Sequence, residues 1–192
     1  MSALPETKWT VEQYLAFERA SEVRHEYLKG QIYDFAGASE NHSLVLGSTY
    51  ANLYTQLRKK PCKVYATDMR VKVNRAGLYT YPDIAVVCGT PQFEDDHRDT
   101  LLNPALIIEV LSPSTESYDR GRKFQHYRRL DSLQEYVLIA QDSCRIEHYT
   151  RQPDGQWLLN EISQPDQVLD LPAIGCKLLA ADVYEKVTFE AE

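Results

Sequence analysis

The stretch Leu106–Lys123, LIIEVLSPSTESYDRGRK, limits what this chain can fold into more than any other. It opens as an apolar run of strand length, with one carboxylate, Glu109, set between Ile108 and Val110. Short apolar runs of this kind read as buried strands. A charge inside a buried strand costs several kcal/mol unless it is paired or ligates a metal. Ser112-Pro113-Ser114-Thr115 ends the strand, and Asp119 opens a strongly basic segment. The rest of the chain must supply whatever meets Glu109.

With 192 residues, 43% hydrophobic and 26% charged, the chain reads as a single domain over 1–192 with its own core. No apolar run approaches the roughly 20 residues needed to cross a bilayer. The opening MSALPETKWT lacks the basic-then-apolar pattern of a secretory signal, so a cytoplasmic protein without membrane contact is expected. Cys62, Cys88, Cys144 and Cys176 are widely spaced, at neither metal-knuckle nor redox spacing, and read as buried structural thiols. The net charge of -7 argues against a surface coated in nucleic-acid contacts, so any DNA-binding face would be local.

Thr10 with Gln13 predicts a capping box and a helix over 10–21. His25–Leu28 and Gln31–Phe35 around Lys29-Gly30 predict a hairpin. Ser39 caps a helix to about Lys59, with Leu46, Tyr50, Leu53, Tyr54 and Leu57 on one face. Lys63–Asp68 and Arg70–Arg75 alternate as half-exposed strands do, and Ala76-Gly77 turns the chain. Tyr81–Val87 enters a buried strand, and 91–100 is a polar acidic loop. The strand 105–111 and a helix from about Asp119 to Leu130 follow. Glu135–Ala140, Arg145–Thr150 and Gln156–Ser163 read as successive strands, with Pro153-Asp154-Gly155 turning the last pair. Leu178–Lys186 reads as a short terminal helix. Strands in runs, with helices early and in the middle, predict an α/β or α+β domain with a mixed sheet.

Asp83 begins a strand and Glu109 lies within one. Carboxylates on neighbouring strands, about 4.8 Å apart, can share a cation. With a backbone carbonyl such as that of Val110 and waters, they would suit Mg²⁺. Pairing of Glu109 with a core arginine is the other reading, and the pattern leaves both open. Between Tyr118 and Leu130 the local charge is +4, which leaves -11 elsewhere. Arg120, Arg122, Arg128 and Arg129 could meet phosphates. Alternatively they form a solvated helix face neutralised by the acidic loop Glu94–Asp99. Phe124 and Tyr127 can turn to the core with Lys123 beside them. His42 reads as a cap or core partner. Glu26 and Asp34 read as solvent-facing, with Glu26 a candidate third carboxylate. Ser112 is not in a nucleophile elbow, and no phosphate-binding glycine loop is present.

Several of these residues together form a wider pattern. His25-Glu26-Tyr27-Leu28-x-Gly30, His42, Tyr81-Pro82-Asp83-Ile84 and Ile108–Thr115 are followed by Asp119-x-x-x-Lys123-x-x-x-Tyr127 and Glu135-Tyr136. The series resembles the Uma2 (DUF820) family of restriction-endonuclease-like proteins, abundant in cyanobacteria and part of the PD-(D/E)XK nuclease superfamily. The resemblance runs from about Thr10 to Tyr184. It implies a mixed β-sheet core flanked by helices with extra strands, and a Mg²⁺- or Mn²⁺-dependent endonuclease acting on DNA. It assigns Asp83 and Glu109 to the metal, with Glu26 a further ligand. The superfamily's lysine lies two residues after the acid, where this chain has Leu111. The resemblance therefore implies that Lys123, with Asp119 one helical turn before it, replaces that lysine and orients the attacking water. A non-catalytic nucleic-acid-binding or interaction module on the same fold is the rival reading. Homodimers are expected by analogy with enzymes that cut two strands.

Overall fold

The computed structural model describes residues 8–34, 38–73 and 77–189. Helix α1 (Val11–Ala20) starts at the capping box that the sequence announces. Thr10 N–H donates to Gln13 Oε1 (2.9 Å), and Gln13 N–H donates to Thr10 Oγ1 (3.2 Å). Strands β1 (His25–Leu28) and β2 (Gln31–Asp34) form the expected hairpin. Lys29 and Gly30 both hold positive φ (49° and 96°), as a tight primed turn requires. At Gly30 a Cβ would also approach Lys8 Cβ to 2.9 Å. Phe35 and the segment 74–76 lie outside the described residues.

Helix α2 (Glu40–Leu57) begins at Ser39, whose Oγ accepts from His42 N–H (3.1 Å). Its buried stripe is Val45, Thr49, Leu53 and Leu57, at strict steps of four. The expected face is thus rotated: Leu46 and Tyr50 are half-buried, and Tyr54 is exposed. Counting aromatics as core-facing misled the reading, because a tyrosine can keep its ring at the rim and its hydroxyl in water.

Strands β3 (Cys62–Ala66), β4 (Arg70–Val73), β5 (Leu78–Thr80), β6 (Ile84–Cys88), β7 (Thr100–Leu101) and β8 (Leu106–Leu111) follow. A broken helix comes next: α3 (Glu116–Tyr118), a π turn (Asp119–Lys123) and α4 (Phe124–Tyr127). Strands β9 (Glu135–Ala140), β10 (Ile146–Arg151) and β11 (Trp157–Ile162) match the expected trio. The hairpin of β12 (Val168–Leu171) and β13 (Cys176–Leu179) was not expected, and α5 (Ala180–Val183) is shorter than the helix read from the sequence.

The fold is α+β with mixed sheets. The six-stranded sheet runs β11-β10-β9-β8-β6-β3, with β8 and β9 parallel and the other neighbours antiparallel. The five-stranded sheet runs β2-β1-β5-β4-β7. One face of the larger sheet (Ile84, Val86, Leu106, Ile108, Val137, Ile139) packs on α2, α5 and the β12–β13 hairpin. The other (Ala85, Val87, Ile107, Leu111, Tyr136, Leu138) meets α4 and the smaller sheet through Phe124, Tyr127, Val71 and Leu78. Arg70, expected on a half-exposed strand, is instead buried in the smaller sheet, held by Thr100, Tyr81 and Asp99. Cys62 and Cys88 are register partners on β3 and β6 and are joined by a disulfide. Sequence spacing hid that pair because antiparallel pairing, not proximity along the chain, sets it.

Leu53→Ala should lower stability by about 2–5 kcal/mol, whereas Tyr54→Ala, on the exposed side of α2, should change it by under about 0.5 kcal/mol. Urea unfolding midpoints of the two variants measure the contrast, and equal losses would contradict the assigned stripe.

Candidate active site

Period-two alternation decides which face Glu109 joins. Ile107 and Leu111 point to the α4 side of the sheet, so Glu109, between them, does too. The β6–β8 register pairs Ile84 with Ile108. One step further places Asp83 opposite Glu109 on that same face. The two carboxylates expected to work together therefore do share a face and a cleft.

Asp83 is 5% exposed. Its Oδ2 accepts the Val110 N–H (2.7 Å) and lies 3.3 Å from His42 Nε2. His42 thus takes the place of a partner to Asp83 from the first turn of α2. Burial pushes the imidazolium down, but the Asp83 carboxylate, then Asp119 and the Val110 backbone, outweigh it and hold His42 above its ordinary pKa.

Glu109 is 3% exposed. Its Oε1 meets Lys123 Nζ at 2.9 Å and accepts the Tyr127 hydroxyl at 2.9 Å. The partner that the strand carboxylate demanded is therefore a lysine, not a core arginine. The π turn makes this contact. Its wider winding stacks Asp119 and Lys123, four residues apart, on one side, and such turns often mark functional sites. Lys123 Nζ lies 3.4 Å from Asp119 Oδ1 and 3.6 Å from Glu26 Oε1. Glu26, expected to face solvent, is drawn inward, and Thr80 Oγ1 donates to it across the hairpin edge.

Five carboxylates (Glu26, Asp34, Asp83, Glu109 and Asp119) line one cleft of about 390 Å³ with His42, Lys123 and Arg122, Asp34 being the exposed one. Burial, then Asp119 and Asp83, raises the Glu109 carboxyl well above its usual range despite Lys123. Burial opposes the Lys123 charge, yet Glu109, Tyr127, Glu26 and Asp119 together keep the ammonium protonated far into the alkaline range. The Tyr127 phenol is likewise held protonated, by burial first and Glu109 second, and so remains a donor. Negative groups outnumber positive ones here, and apart from the His42 ring the ligand atoms on offer are oxygens. No set of three described His, Cys, Asp or Glu side chains is closed enough to cage an ion unaided.

The basic helix is less available than its charge suggests. Arg120 is turned away to Glu147 (2.7 Å) and Glu116. Arg128 lies over the Phe124 ring, 5.1 Å from its centroid, with an exposed side. Arg129 is exposed, and Arg122 lines the cleft. The acidic loop does not neutralise this helix. Asp95 and Asp99 pair with Arg19, Asp99 also with Arg70, and Glu94 with Lys72. The parallel β4–β7 pairing brings that loop to the smaller sheet instead.

Asp119, Tyr118 and Tyr33 were not among the residues expected in the site, yet all line the cleft. The four-residue spacing to Lys123 signalled Asp119. The cross-strand pairing of Tyr33 with Glu26 follows from the hairpin register and could have located the tyrosine.

Lys123→Met should cost about 3–5 kcal/mol at pH 8, because it leaves Glu109 and Asp119 without a counter-charge. An acid raised in the folded state costs stability as pH climbs past its unfolded value of about 4.3, and not below it. The loss should therefore be largest at pH 8 and shrink as pH falls toward 4.5. Urea unfolding at both pH values measures it, and a loss that grows on acidification would contradict this charge balance.

The family model Uma2, described as "Putative restriction endonuclease", matches residues 11–181. The protein slr1290 of Synechocystis sp. (strain ATCC 27184 / PCC 6803 / Kazusa) is 35% identical over 187 residues, 96% of each chain. The protein sll1609 of the same organism is 37% identical over 153 residues, 80% of this chain and 86% of that one. Among solved structures, one described as "a putative nuclease belonging to DUF820", from Anabaena variabilis ATCC 29413, superposes with a TM-score of 0.78. It covers 94% of this chain and 99% of that one at 18% identity, a likeness that establishes the shared fold. The matched span contains both strand carboxylates, the lysine of the π turn and the hairpin of Glu26, and on that footing the chain belongs to the Uma2 family.

Proposed function

We propose that this protein is a nuclease that hydrolyses DNA phosphodiester bonds with the aid of Mg²⁺ or Mn²⁺. One observation carries the reading: Asp83, immediately before β6, and Glu109, in the adjacent β8, open on one face into a cleft that also holds Lys123. The family's description, "Putative restriction endonuclease", and the structural neighbour's, "a putative nuclease", both support it.

The donor set fits a hard divalent ion. Mg²⁺ prefers oxygen, keeps several waters and takes one or two carboxylates rather than a full protein cage. Asp83 and Glu109, with the Val110 carbonyl, would hold it, and Glu26 stands nearby as a further oxygen donor. Bound there, the ion supplies Lewis-acid stabilisation of the charge that builds on a phosphate under attack.

The remaining work falls to the chain's own groups. The Val110 N–H and His42 fix one oxygen of Asp83, which orients the other. Tyr127 fixes Glu109 in the same way. The Lys123 ammonium, held in place by Glu109 and Asp119, donates to a phosphate oxygen and to the attacking water. In a site shielded from solvent, donors aimed in advance at developing charge are worth far more than in water.

A second reading has one observation in its favour. The Glu109 oxygen that faces Lys123 and Tyr127 is already doubly partnered, as in a nuclease fold retained as a non-catalytic binding module. Calorimetric titration with Mn²⁺ separates the two: a nuclease should bind it, and Asp83→Ala should abolish that binding.

Asp83→Ala and Glu109→Ala should each lower divalent-dependent cleavage of DNA by at least about a thousand-fold, with the fold retained by circular dichroism. Lys123→Ala should lower the rate by about a hundred-fold or more while metal binding persists. Gel assays with and without Mg²⁺ or Mn²⁺ provide the measurement, and cleavage that survives both carboxylate variants would refute the mechanism.

A further inference from the structure

The floor and the mouth of the cleft differ in character. The buried carboxylates and Lys123 form the floor. Leu28, Tyr33, Asp34, Ala38, Tyr118 and Arg122 also line the cleft, and of these Tyr33, Asp34 and Ala38 are exposed. Tyr33 is the cross-strand partner of Glu26, so both side chains project from the same face of the β1–β2 hairpin. Its ring is 47% exposed, and its hydroxyl donates to Gln31 Oε1 (2.7 Å), which steadies the ring at the rim. A large aromatic left open to water beside charged catalytic groups is a surface suited to a flat, apolar partner.

The size of the cleft narrows the partner. Its volume of about 390 Å³ is at the small end of ligand sites, which run from roughly 300 to 1,000 Å³. That is room for about one nucleotide. The charge pattern agrees. A duplex-tracking protein needs basic residues spread along the backbone path. Here Arg120 is tied to Glu147 and Glu116, and Arg122 is the arginine that lines the cleft. Stacking on an aromatic ring adds binding that charge does not supply and accepts any base.

We infer that the cleft takes one unstacked nucleotide of a single-stranded nucleic acid, its base against Tyr33 and Tyr118 and its phosphate toward Lys123 and Arg122. This rests on the nuclease reading and specifies its substrate. A duplex would be a substrate where its end is frayed or splayed. The 2′-hydroxyl separates DNA from RNA as the source of the strand, so both are tested.

The experiment compares cleavage of a single-stranded DNA oligonucleotide, the same sequence as RNA, the blunt DNA duplex and a splayed duplex, all with Mn²⁺. At least one single strand should be cut ten-fold or more faster than the blunt duplex, and the splayed duplex should be cut in its unpaired arm. On the preferred strand Tyr33→Ala should raise KM about ten-fold, the loss of one stacking contact, with kcat within about two-fold. Tyr33→Phe should restore KM. Tyr33 lies on an edge strand and is half exposed, so the fold does not depend on it. Blunt duplex cut as fast as either single strand, or KM unmoved by Tyr33→Ala, overturns the inference and leaves the nuclease reading standing. Failure to cut any of the four substrates removes both.

Discussion

The contact between Lys123 and Glu109 is the interaction on which the rest of this structure turns. Each charge offsets the burial of the other, because an unpaired ion in the interior costs several kcal/mol. Together they commit the helix after β8 to fold back over the strand it has just left. Ser112 begins that return. Its carbonyl accepts from the backbones of Thr115 and Glu116, and its hydroxyl meets those of Ser114 and Thr115. Phe124 and Tyr127 then anchor the helix in the aromatic layer with Tyr136 and Tyr149. The core thus places the lysine, and the lysine makes a charged core strand tolerable.

Two sheets share this site. Asp83 and Glu109 belong to the larger sheet, while Glu26 comes from the smaller one. The junction between them is held by buried polar contacts. The Tyr81 hydroxyl donates to Glu18 and accepts from Arg70, two residues before Asp83. Burial, followed by Glu18 against the pull of Arg70, lifts that phenol to about 12, so it remains a hydrogen-bond donor at any ordinary pH. Glu18 also receives the backbone and ring of His25, next to Glu26. One buried cluster thereby sets the spacing between carboxylates contributed by different sheets.

Much of this was legible in the chain. Strands that are apolar but for one carboxylate each, such as Glu135–Ala140 and Leu106–Leu111, announce themselves because both of their faces are buried. The capping pairs of α1 and α2 fix their starts for local reasons. The carboxylates Asp83 and Glu109 stood out because charge in a buried strand demands a partner. What stayed hidden depended on pairing across distance. The Cys62–Cys88 bond, the inward turn of Glu26 and the attachment of the acidic loop to Arg19 and Arg70 all follow from strand register. Arg120 illustrates the opposite error: local charge density suggested an open cationic face, but Glu147, arriving from β10, claims that guanidinium.

The π turn over Asp119–Lys123 makes chain length itself part of the site. An ordinary helix advances about 100° per residue, and a wide turn of this kind acts as a one-residue insertion within such a helix. Winding the same residues as a regular α-helix would swing the ammonium about a quarter of the way around the axis, whereas deleting one of them would leave it nearly in place. The extra residue and the wide turn are therefore matched: losing the turn while keeping the residue would carry the lysine away from Glu109.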